Sequence, residues 1–289
     1  MGNRKAALVT GSSRGIGRAC ALGLARAGYD VAVHHSVSPE SAEETYNEVK
    51  AIGVDSCILQ GDTGDAQVPR RLVDETVEKL GRLDLLVNNA GITRFENLMD
   101  ITAEAMDELY RVDFRGMILC ASAAARYMVQ NKIKGNIIFN TSIRSYQPHS
   151  GDGVYGGLKA GLNRIIKSFA IDMGRYGIRV NGFSPGVTNV RVPKPEDEAR
   201  DPFYRYSHRY IPLRKNGYAE DMAGTVVFLA SDAASYITGQ VIPVDGGLSA
   251  VGAPEHYYDL VDYYDIEEWM NPPEGVKFKF EDLKKKDIR

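Results

Sequence analysis

A tyrosine and a lysine spaced four residues apart could move a proton between the protein and a ligand. Tyr155 and Lys159 lie in a stretch with helical periodicity, and this spacing places both side chains on one face of a helix. A phenol has a pKa of about 10 in water, and a neighbouring ammonium favours the phenolate form. The hydroxyl then becomes a better acid–base group near neutral pH. Because most such pairs are solvated surface residues, the context decides the interpretation.

Ser142 supplies part of that context. It ends an apolar run that is predicted to be a strand and precedes Tyr155 in the chain. The carboxyl ends of parallel strands open into the ligand crevice of an α/β sheet. A hydroxyl there could donate a hydrogen bond to a carbonyl oxygen and stabilise charge on it. Taken alone, Ser142 would be interpreted as a turn or capping residue.

A glycine cluster follows the first predicted strand and precedes a predicted helix. Gly11, Gly15 and Gly17 let the backbone turn tightly and approach a ligand closely. The unpaired amides and positive dipole end of the helix attract an anion. The G-x-x-x-G-x-G spacing differs from the common dinucleotide pattern G-x-G-x-x-G, and such a cluster alone is a weak signal. Its place after the first strand predicts a nucleotide phosphate site.

The end of the second predicted strand favours NADP(H) over NAD(H), without excluding the latter. An acid that would bind the adenosine ribose is expected there, but the strand ends in His34, His35 and Ser36. Arg14 in the glycine loop could instead bind a 2′-phosphate through its guanidinium. The alternative is a solvated Arg14 and a surface His35. Asp62, after the third strand, could accept from the adenine amino group or cap the next helix.

Short apolar runs alternate with helical patterns along the chain. The predicted strands are 5–10, 30–35, 56–61, 83–89, 136–142, 178–184 and 240–247, and the predicted helices lie near 16–28, 39–52, 66–80, 103–131, 155–176 and 219–231. Continuously apolar strands indicate burial on both faces, as in a parallel sheet covered by helices. We therefore predict an α/β fold: a doubly wound, Rossmann-type parallel sheet of about seven strands, within one domain over 1–249.

Two segments break this alternation. Residues 188–217 form a long insertion, which we interpret as a substrate lid. Its aromatic and basic side chains could contact a ring, a polyol or an anion, or could pack on a neighbouring subunit. Residues 250–289 form a C-terminal extension too rich in aromatic residues for a typical disordered tail. We predict that this extension packs at a subunit interface.

Composition limits the classes of function. The chain has 289 residues, 44% of them hydrophobic, and a net charge of −3, which excludes a global basic field for binding nucleic acid. No apolar run is long enough to span a bilayer, and we expect no signal peptide before the first strand. Cys20, Cys57 and Cys120 lack metal-ligand spacing and indicate reduced thiols. We predict a cytoplasmic protein with no metal, nucleic-acid or membrane partner.

Several motifs in order resemble the short-chain dehydrogenase/reductase family over residues 4–249. They are T-G-x-x-x-G-x-G at 10–17, N-N-A-G at 88–91, Ser142 with Y-x-x-x-K at 155–159, Asn181 with Pro185-Gly186, and TGQVIPVDGG at 238–247. The resemblance implies a Rossmann-type sheet, NAD(P)(H), and a catalytic group of serine, tyrosine and lysine. It also implies self-association into dimers or tetramers.

The resemblance also implies how the cofactor is bound. Asn89 and Ala90 would line its adenosine side, while Pro185, Gly186 and Thr188 would lie against the nicotinamide. With the phosphate loop, the expected cofactor-binding set is Gly11, Ser13, Arg14, Ile16, His35, Ser36, Asp62, Thr63, Asn89, Ala90, Gly91, Tyr155, Lys159, Pro185, Gly186, Val187 and Thr188.

The chain departs from the family pattern at two positions. Asp113 stands where the family carries a fourth catalytic residue, an asparagine thought to hold a proton-relaying water. An aspartate can hold a water but cannot donate while ionised, and its charge favours a protonated Lys159. We expect Asp113 to be a tolerated member of an active catalytic group; a slower or inactive enzyme is the alternative. Val190 replaces a usual threonine, whose hydroxyl Thr188 could supply.

These features predict an NAD(P)(H)-dependent oxidoreductase that interconverts a ketone and a secondary alcohol, with tyrosine as the acid–base group. The expected substrate is a small carbonyl or alcohol compound, such as a cyclic ketone, a sugar or a steroid-like molecule. A β-ketoacyl thioester (acyl-carrier-protein) reductase is the alternative. A non-catalytic regulator that senses the cofactor is a third class, suggested by Asp113 and opposed by the retained Ser142, Tyr155 and Lys159.

Overall fold

The computed structural model of the protein describes residues 4–190, 204–207 and 211–250. The seven predicted sheet strands are confirmed as β1 (Ala6–Val9), β2 (Asp30–His35), β3 (Ser56–Gln60), β4 (Leu85–Asn88), β5 (Asn136–Asn140), β6 (Arg179–Pro185) and β9 (Val241–Val244). Two further short strands, β7 (Thr188–Asn189) and β8 (Gly217–Tyr218), pair with each other. The helices are α1 (Gly15–Arg26), α2 (Pro39–Ile52), α3 (Val68–Leu80), α4 (Ala103–Tyr110), α5 (Met117–Gln130), α6 (Gly153–Gly174), α7 (Tyr204–Ser207) and α8 (Ala219–Ala230).

The main sheet is parallel throughout, with the strand order β3-β2-β1-β4-β5-β6-β9. The chain runs outward in one direction from β1 to β3, and in the other from β4 to β9. The order therefore reverses between β1 and β4, and the crevice at such a point is where ligands bind in open α/β sheets.

Alternate residues of each strand enter separate hydrophobic cores on the two faces of the sheet. Ala7 and Val9 of β1 pack with α1, α2 and α8. Leu8 between them packs on the opposite face with α3, α5 and α6. Because both faces are covered, the strands are mostly apolar, and the polar side chains at their carboxyl ends include His34 and His35 of β2, Asn88 of β4 and Asn140 of β5. The predicted doubly wound fold is confirmed.

The helix predicted near 103–131 is interrupted by a π-helical turn at Arg111–Gly116. π-Helical turns insert one extra residue into a helix and occur frequently at functional sites. Asp113 lies in this turn and is almost completely buried. Sequence periodicity misses such a turn, because the apolar pattern continues through it.

The interpretation of Asp62 as the cap of the next helix is wrong. That helix, α3, begins at Val68 and is preceded by Gln67. Asp62 instead closes a tight turn, where Oδ1 accepts a hydrogen bond from the Gly64 amide at 2.8 Å. Its Oδ2 lies 3.8 Å from Arg111, and the side chain is half exposed.

Much of the predicted lid and of the C-terminal extension lies outside the described residues. Of the segment 188–217, residues 191–203 and 208–210 are not described, and of 250–289 only Ala250 is described. Tyr204 of the lid is buried, and its hydroxyl donates to the Thr188 carbonyl at 3.2 Å. Among the described helices, none combines the length and apolar character that a bilayer crossing requires.

Candidate active site

Tyr155 and Lys159 lie together on one face of α6, as their spacing predicts. Lys159 Nζ is 5.6 Å from the centre of the Tyr155 ring. Phe95 meets the same ring edge to face, with centroids 6.0 Å apart. Within the described part of the chain, the Tyr155 hydroxyl has no hydrogen-bond partner. It borders a cavity and is therefore open to a ligand.

A buried ion pair joins Lys159 to Asp113. Lys159 Nζ lies 3.0 Å from Asp113 Oδ2, and the two side chains are 4% and 1% exposed. Asp113 Oδ1 accepts from the Ile92 amide at 2.7 Å. Burial by itself would lower the pKa of the Lys159 ammonium, but the charges of Asp113 and Tyr155 outweigh it and raise that pKa. The lysine is held as a cation by direct contact, with no space for a water between the paired atoms.

Ser142 follows β5 and begins a single 3-10 turn at Ile143–Ser145. Its Oγ accepts a hydrogen bond from the Arg144 amide at 3.1 Å. The residue therefore caps a turn, as its type alone suggested, and also lines the cavity beside Tyr155. Because the protein uses Oγ as an acceptor, the hydroxyl hydrogen remains available to a ligand oxygen.

Two asparagines connect the lysine to the glycine loop. Lys159 Nζ donates to the Asn140 carbonyl at 3.4 Å, and Asn140 Nδ2 donates to Asn89 Oδ1 at 2.9 Å. Asn89 Nδ2 donates in turn to the carbonyls of Thr10 and Gly11 at 2.9 and 3.0 Å. The ends of β1, β4 and β5 are thereby fixed relative to one another.

His34 holds the glycine loop against the end of β3. Its Nδ1 accepts from the Gly11 amide at 2.9 Å, so Nε2 must carry the hydrogen that bonds the Gly61 carbonyl at 2.9 Å. Desolvation by burial is the main reason why the pKa of His34 falls to about 4. The imidazole is therefore neutral at physiological pH, as its acceptor role requires.

Glycine is required where the loop, α1 and the end of β4 approach one another. Gly11 has φ of +64°, which disfavours any side chain. A Cβ at Gly17 would collide with the Gly11 carbonyl oxygen and the Asn89 side chain. A Cβ at Gly91 would lie 2.9 Å from Asp113 Oδ2. These positions keep open a cradle that a ligand backbone or phosphate can enter.

Arg14, His35 and Ser36, the residues that the sequence analysis places near a 2′-phosphate, border the same cavity as this cradle. Arg14 and Ser36 are exposed beside it. His35 is only 4% exposed, so its interpretation as a surface residue is wrong. Its Nδ1 is buried and, among the described residues, has no hydrogen-bond partner. An orphaned buried nitrogen beside an arginine and a serine hydroxyl is suited to an anionic ligand.

All predicted site residues line two adjoining cavities of about 540 and 570 Å³. The first cavity is bordered by Gly11, Ser13, Arg14, Ile16, His35, Ser36, Asp62, Thr63, Asn89, Ala90 and Gly91. The second is bordered by Asp113, Ser142, Tyr155, Lys159, Pro185, Gly186, Val187 and Thr188. Six residues, Ile16, Asn89, Gly91, Ile92, Thr93 and Val190, border both. The two cavities therefore form one continuous crevice.

Sequence reasoning assigned no role to Asn140, His34 or Phe95. His34 could have been singled out, because an apolar strand rarely carries a histidine without a partner for each ring nitrogen. Asn140 lies beside Ser142 at the carboxyl end of β5, where polar residues face the crevice. Phe95 lies in a loop between β4 and α4, and no local pattern places it against Tyr155.

Comparisons with known proteins agree with this geometry. Residues 11–249 match the family model described as enoyl-(acyl carrier protein) reductase. The chain is 41% identical over 244 residues to the 3-oxoacyl-[acyl-carrier-protein] reductase FabG of Staphylococcus aureus, covering 84% of this chain and 98% of that protein. It is 37% identical over 249 residues to an L-rhamnose 1-dehydrogenase (NAD(P)+) of a Sphingomonas species, covering 84% and 96%.

Solved structures show the same similarity. A putative short-chain alcohol dehydrogenase of Sinorhizobium meliloti matches with a TM-score of 0.80 and 34% identity, over 87% of this chain and 98% of that one. The acetoin dehydrogenase YohF of Salmonella typhimurium matches with a TM-score of 0.78 and 32% identity, over 86% and 98%.

Proposed function

Since the chain belongs to the short-chain dehydrogenase/reductase family and is an NAD(P)-dependent oxidoreductase acting on CH–OH groups, we propose that it interconverts a small ketone and the matching secondary alcohol. The observation that carries this proposal is the grouping of Ser142, Tyr155 and Lys159 along one cavity that adjoins a glycine-lined cradle. The substrates we propose are cyclic ketones, sugars or steroid-like alcohols.

The residues of the first cavity fit a dinucleotide cofactor, and we propose NADP(H) as the preferred form. The cradle kept open at Gly11, Gly17 and Gly91 is suited to a pyrophosphate, and α1 begins there. The orphaned Nδ1 of His35 and the exposed guanidinium of Arg14 would bind a 2′-phosphate. Arg14→Gln should raise the KM for NADPH by about 10-fold or more, because a charge-assisted contact is lost, and leave that for NADH nearly unchanged.

When bound, the nicotinamide would donate or accept a hydride. In the reduction direction, Tyr155 Oη would give its proton to the carbonyl oxygen of the substrate, and it would take the proton back in the reverse reaction. The free hydroxyl hydrogen of Ser142 would bond to the same oxygen and stabilise the charge that develops on it. Pro185, Gly186, Val187 and Thr188 would line the nicotinamide side.

Lys159 would serve both the cofactor and the tyrosine. Two of its three N–H donors face Asp113 and the Asn140 carbonyl, so the third is free for a ribose hydroxyl. Its charge favours the phenolate form of Tyr155 in the transition state. We assign Asp113 the role of holding this ammonium in place, as a tolerated substitute for the asparagine of the family.

A cofactor-oxidation screen tests the proposal. NADPH and NADH would each be incubated with a panel of cyclic ketones, keto sugars and acyl thioesters, and consumption would be followed by absorbance. Tyr155→Phe should lower kcat by about 100-fold or more and leave cofactor binding intact, because it removes only the transferred proton. Turnover of the variant at the wild-type rate would refute the assignment.

A β-ketoacyl thioester reductase is the second candidate. The similarity to the Staphylococcus aureus reductase, whose name specifies an acyl-carrier-protein substrate, favours it. The same screen separates the two functions. A kcat/KM for acetoacetyl thioesters of carrier protein that exceeds that for every free ketone would establish this candidate.

We also propose that the chain self-associates into a dimer or tetramer, with residues 250–289 at a subunit interface. The exposed apolar side chains Leu98 and Met99 support an interaction surface on the described part of the chain.

A further inference from the structure

The cavity that contains Tyr155 holds an arginine to which the proposed reaction assigns no role. Arg144 follows Ser142 by two residues and borders the same cavity. Its side chain is 21% exposed, so the guanidinium is shielded from bulk water on most sides. A cation in such a place interacts more strongly with a ligand charge than one on an open surface.

The other charges of this cavity cancel. Among its described lining residues, Lys159 and Arg144 carry positive charge and Asp113 carries negative charge. Asp113 is already paired with Lys159 at 3.0 Å. Arg144 is therefore the cationic side chain of this cavity that the Lys159–Asp113 pair does not neutralise, and the carboxylate nearest to it, Asp152, does not line the cavity.

Arg144 is held in place without being fully paired. Its Nε lies 3.9 Å from Asp152 Oδ2, which is beyond hydrogen-bond distance, and Asp152 is 5% exposed. The Asp152 carboxylate is already engaged, because Oδ2 accepts from the His149 amide at 2.9 Å. Asp152 thus orients the guanidinium but leaves its donors available.

The backbone around Arg144 is tightly packed against α6. Its carbonyl oxygen would lie 2.8 Å from a Cβ at Gly156, so only glycine permits this approach beside Tyr155. Within the described ranges, neither terminal nitrogen of the guanidinium donates to a protein acceptor. The guanidinium thus offers two parallel N–H donors from a residue whose backbone is held in place. This arrangement matches the geometry of a carboxylate.

We propose that Arg144 binds a carboxylate of the substrate, so that the enzyme acts on sugar acids or other hydroxy and oxo acids in preference to neutral sugars. This inference rests on the proposed function and specifies its substrate class. A cavity of about 570 Å³ is large enough for a six-carbon acid. Phe95, which packs on Tyr155, would supply an apolar wall for the carbon chain.

Matched pairs of acid and neutral substrates test the proposal in the full-length protein. The pairs are D-gluconate with D-glucitol and D-galacturonate with D-galactose, each oxidised with NADP+. The wild type should prefer the acid of at least one pair. Arg144→Met should lower the acid-to-neutral ratio of kcat/KM by about 10- to 100-fold, the range expected for a charge-assisted bidentate contact. Arg144→Lys should lower this ratio less, because lysine keeps the positive charge and loses only the paired guanidinium donors.

Arg164→Met is the matched control, because Arg164 is an exposed arginine of α6 whose guanidinium, among the described residues, bonds only to Ser168 at 2.5 Å. This variant should leave the ratio unchanged. A wild type that prefers the neutral member of both pairs would overturn the proposal, as would an equal loss for acid and neutral substrates in Arg144→Met.

A binding measurement separates failure of this proposal from failure of the proposed function. D-Gluconate would be titrated calorimetrically into the wild type and Arg144→Met, each saturated with NADP+. Weaker binding to the variant supports the carboxylate site even if no alcohol is oxidised. Equal binding, or none to either protein, refutes it even if the enzyme reduces neutral ketones.

Discussion

At the scale of single residues, the contact between Asp113 and Lys159 distinguishes this active site from the family pattern. An amide at position 113 would be uncharged, whereas the carboxylate cancels most of the charge of the ammonium 3.0 Å away. The electrostatic help that Lys159 gives to the Tyr155 hydroxyl is correspondingly weaker. Activity should therefore depend on pH in a way that reflects the charge at position 113.

Asp113→Asn should move to lower pH the loss of activity that accompanies deprotonation of Lys159. The amide oxygen can still accept from Ile92, but it no longer raises the pKa of Lys159, so the buried ammonium loses its proton at a lower pH. The measurement is kcat as a function of pH from about 5 to 10, which reaches the range in which lysine side chains titrate. Asp107→Asn, at an exposed position of α4, should leave the profile in place. Superimposable profiles for wild type and Asp113→Asn would contradict the role assigned to this pair.

His34 should make the folded state sensitive to acid. Its pKa of about 4 in the fold lies below the 6.5 of an unperturbed histidine, so the unfolded chain binds the extra proton first. The contribution to the free energy of unfolding is complete above pH 6.5 and is lost as pH falls towards 4. Linkage puts this loss at about 3 kcal/mol at most.

The check is urea unfolding at several pH values between these limits. His34→Asn should show a smaller decline than the wild type, because an amide does not titrate. His149→Asn, at an exposed histidine, should decline as the wild type does. If all three proteins lose stability in parallel, the acid sensitivity has another origin.

The sequence allowed the role of a residue to be predicted only where that role depends on its chemistry and on a fixed spacing along the chain. Tyr155 and Lys159 are four residues apart in a helix, so their proximity is dictated locally. The contact of Asp113 with Lys159 depends on how two distant helices meet, and the burial of His35 depends on how the chain packs around the end of β2. Such contacts form between elements far apart in the chain and have no local signature.

At the scale of elements, the active site depends on where chain segments approach within van der Waals contact. α1 meets the glycine loop at Gly17, and the π-helical turn meets the end of β4 at Gly91. The sequence predicted the glycine loop because glycines cluster there. It did not predict the π-helical turn, because the apolar spacing of the helix is continuous across it.

Gly17→Ala should lower the free energy of unfolding by about 1–3 kcal/mol and raise the KM for the cofactor. The added methyl group collides with the carbonyl oxygen of Gly11 and must displace the loop. Gly174→Ala is the control, since a Cβ there meets nothing within 4 Å. Alanine should be neutral or slightly stabilising at that helical position. Both variants are compared by thermal unfolding and by cofactor titration. If they have the same stability and the same affinity for the cofactor, the close approach at Gly17 does not affect either property.

At the scale of the whole molecule, the strand order follows from the sequence through general rules. Continuously apolar strands that alternate with helices predict a parallel sheet, and right-handed crossovers limit its topology. The reversal between β1 and β4 then brings the glycine loop beside the N-N-A-G segment. The proposed role of residues 250–289 at a subunit interface could not be derived in this way, because such an interface depends on a second chain.

Removal of residues 250–289 tests that role. If this extension packs at a subunit interface, the protein ending at residue 249 should have a smaller mass in solution or altered kinetics. Light scattering and steady-state assays on the truncated and full-length proteins provide the comparison. Unchanged mass and unchanged kinetics together would contradict the proposal.

The wall common to the two cavities has a consequence for the order of events in turnover. Because six residues border both compartments, a dinucleotide bound as proposed would extend from the first into the second and form part of the floor on which the substrate rests. A substrate that arrived early would then meet an incomplete surface, so we expect the nucleotide to bind first and to leave last. Product-inhibition patterns should accordingly show NADP+ competing with NADPH alone, as in a compulsory-order mechanism.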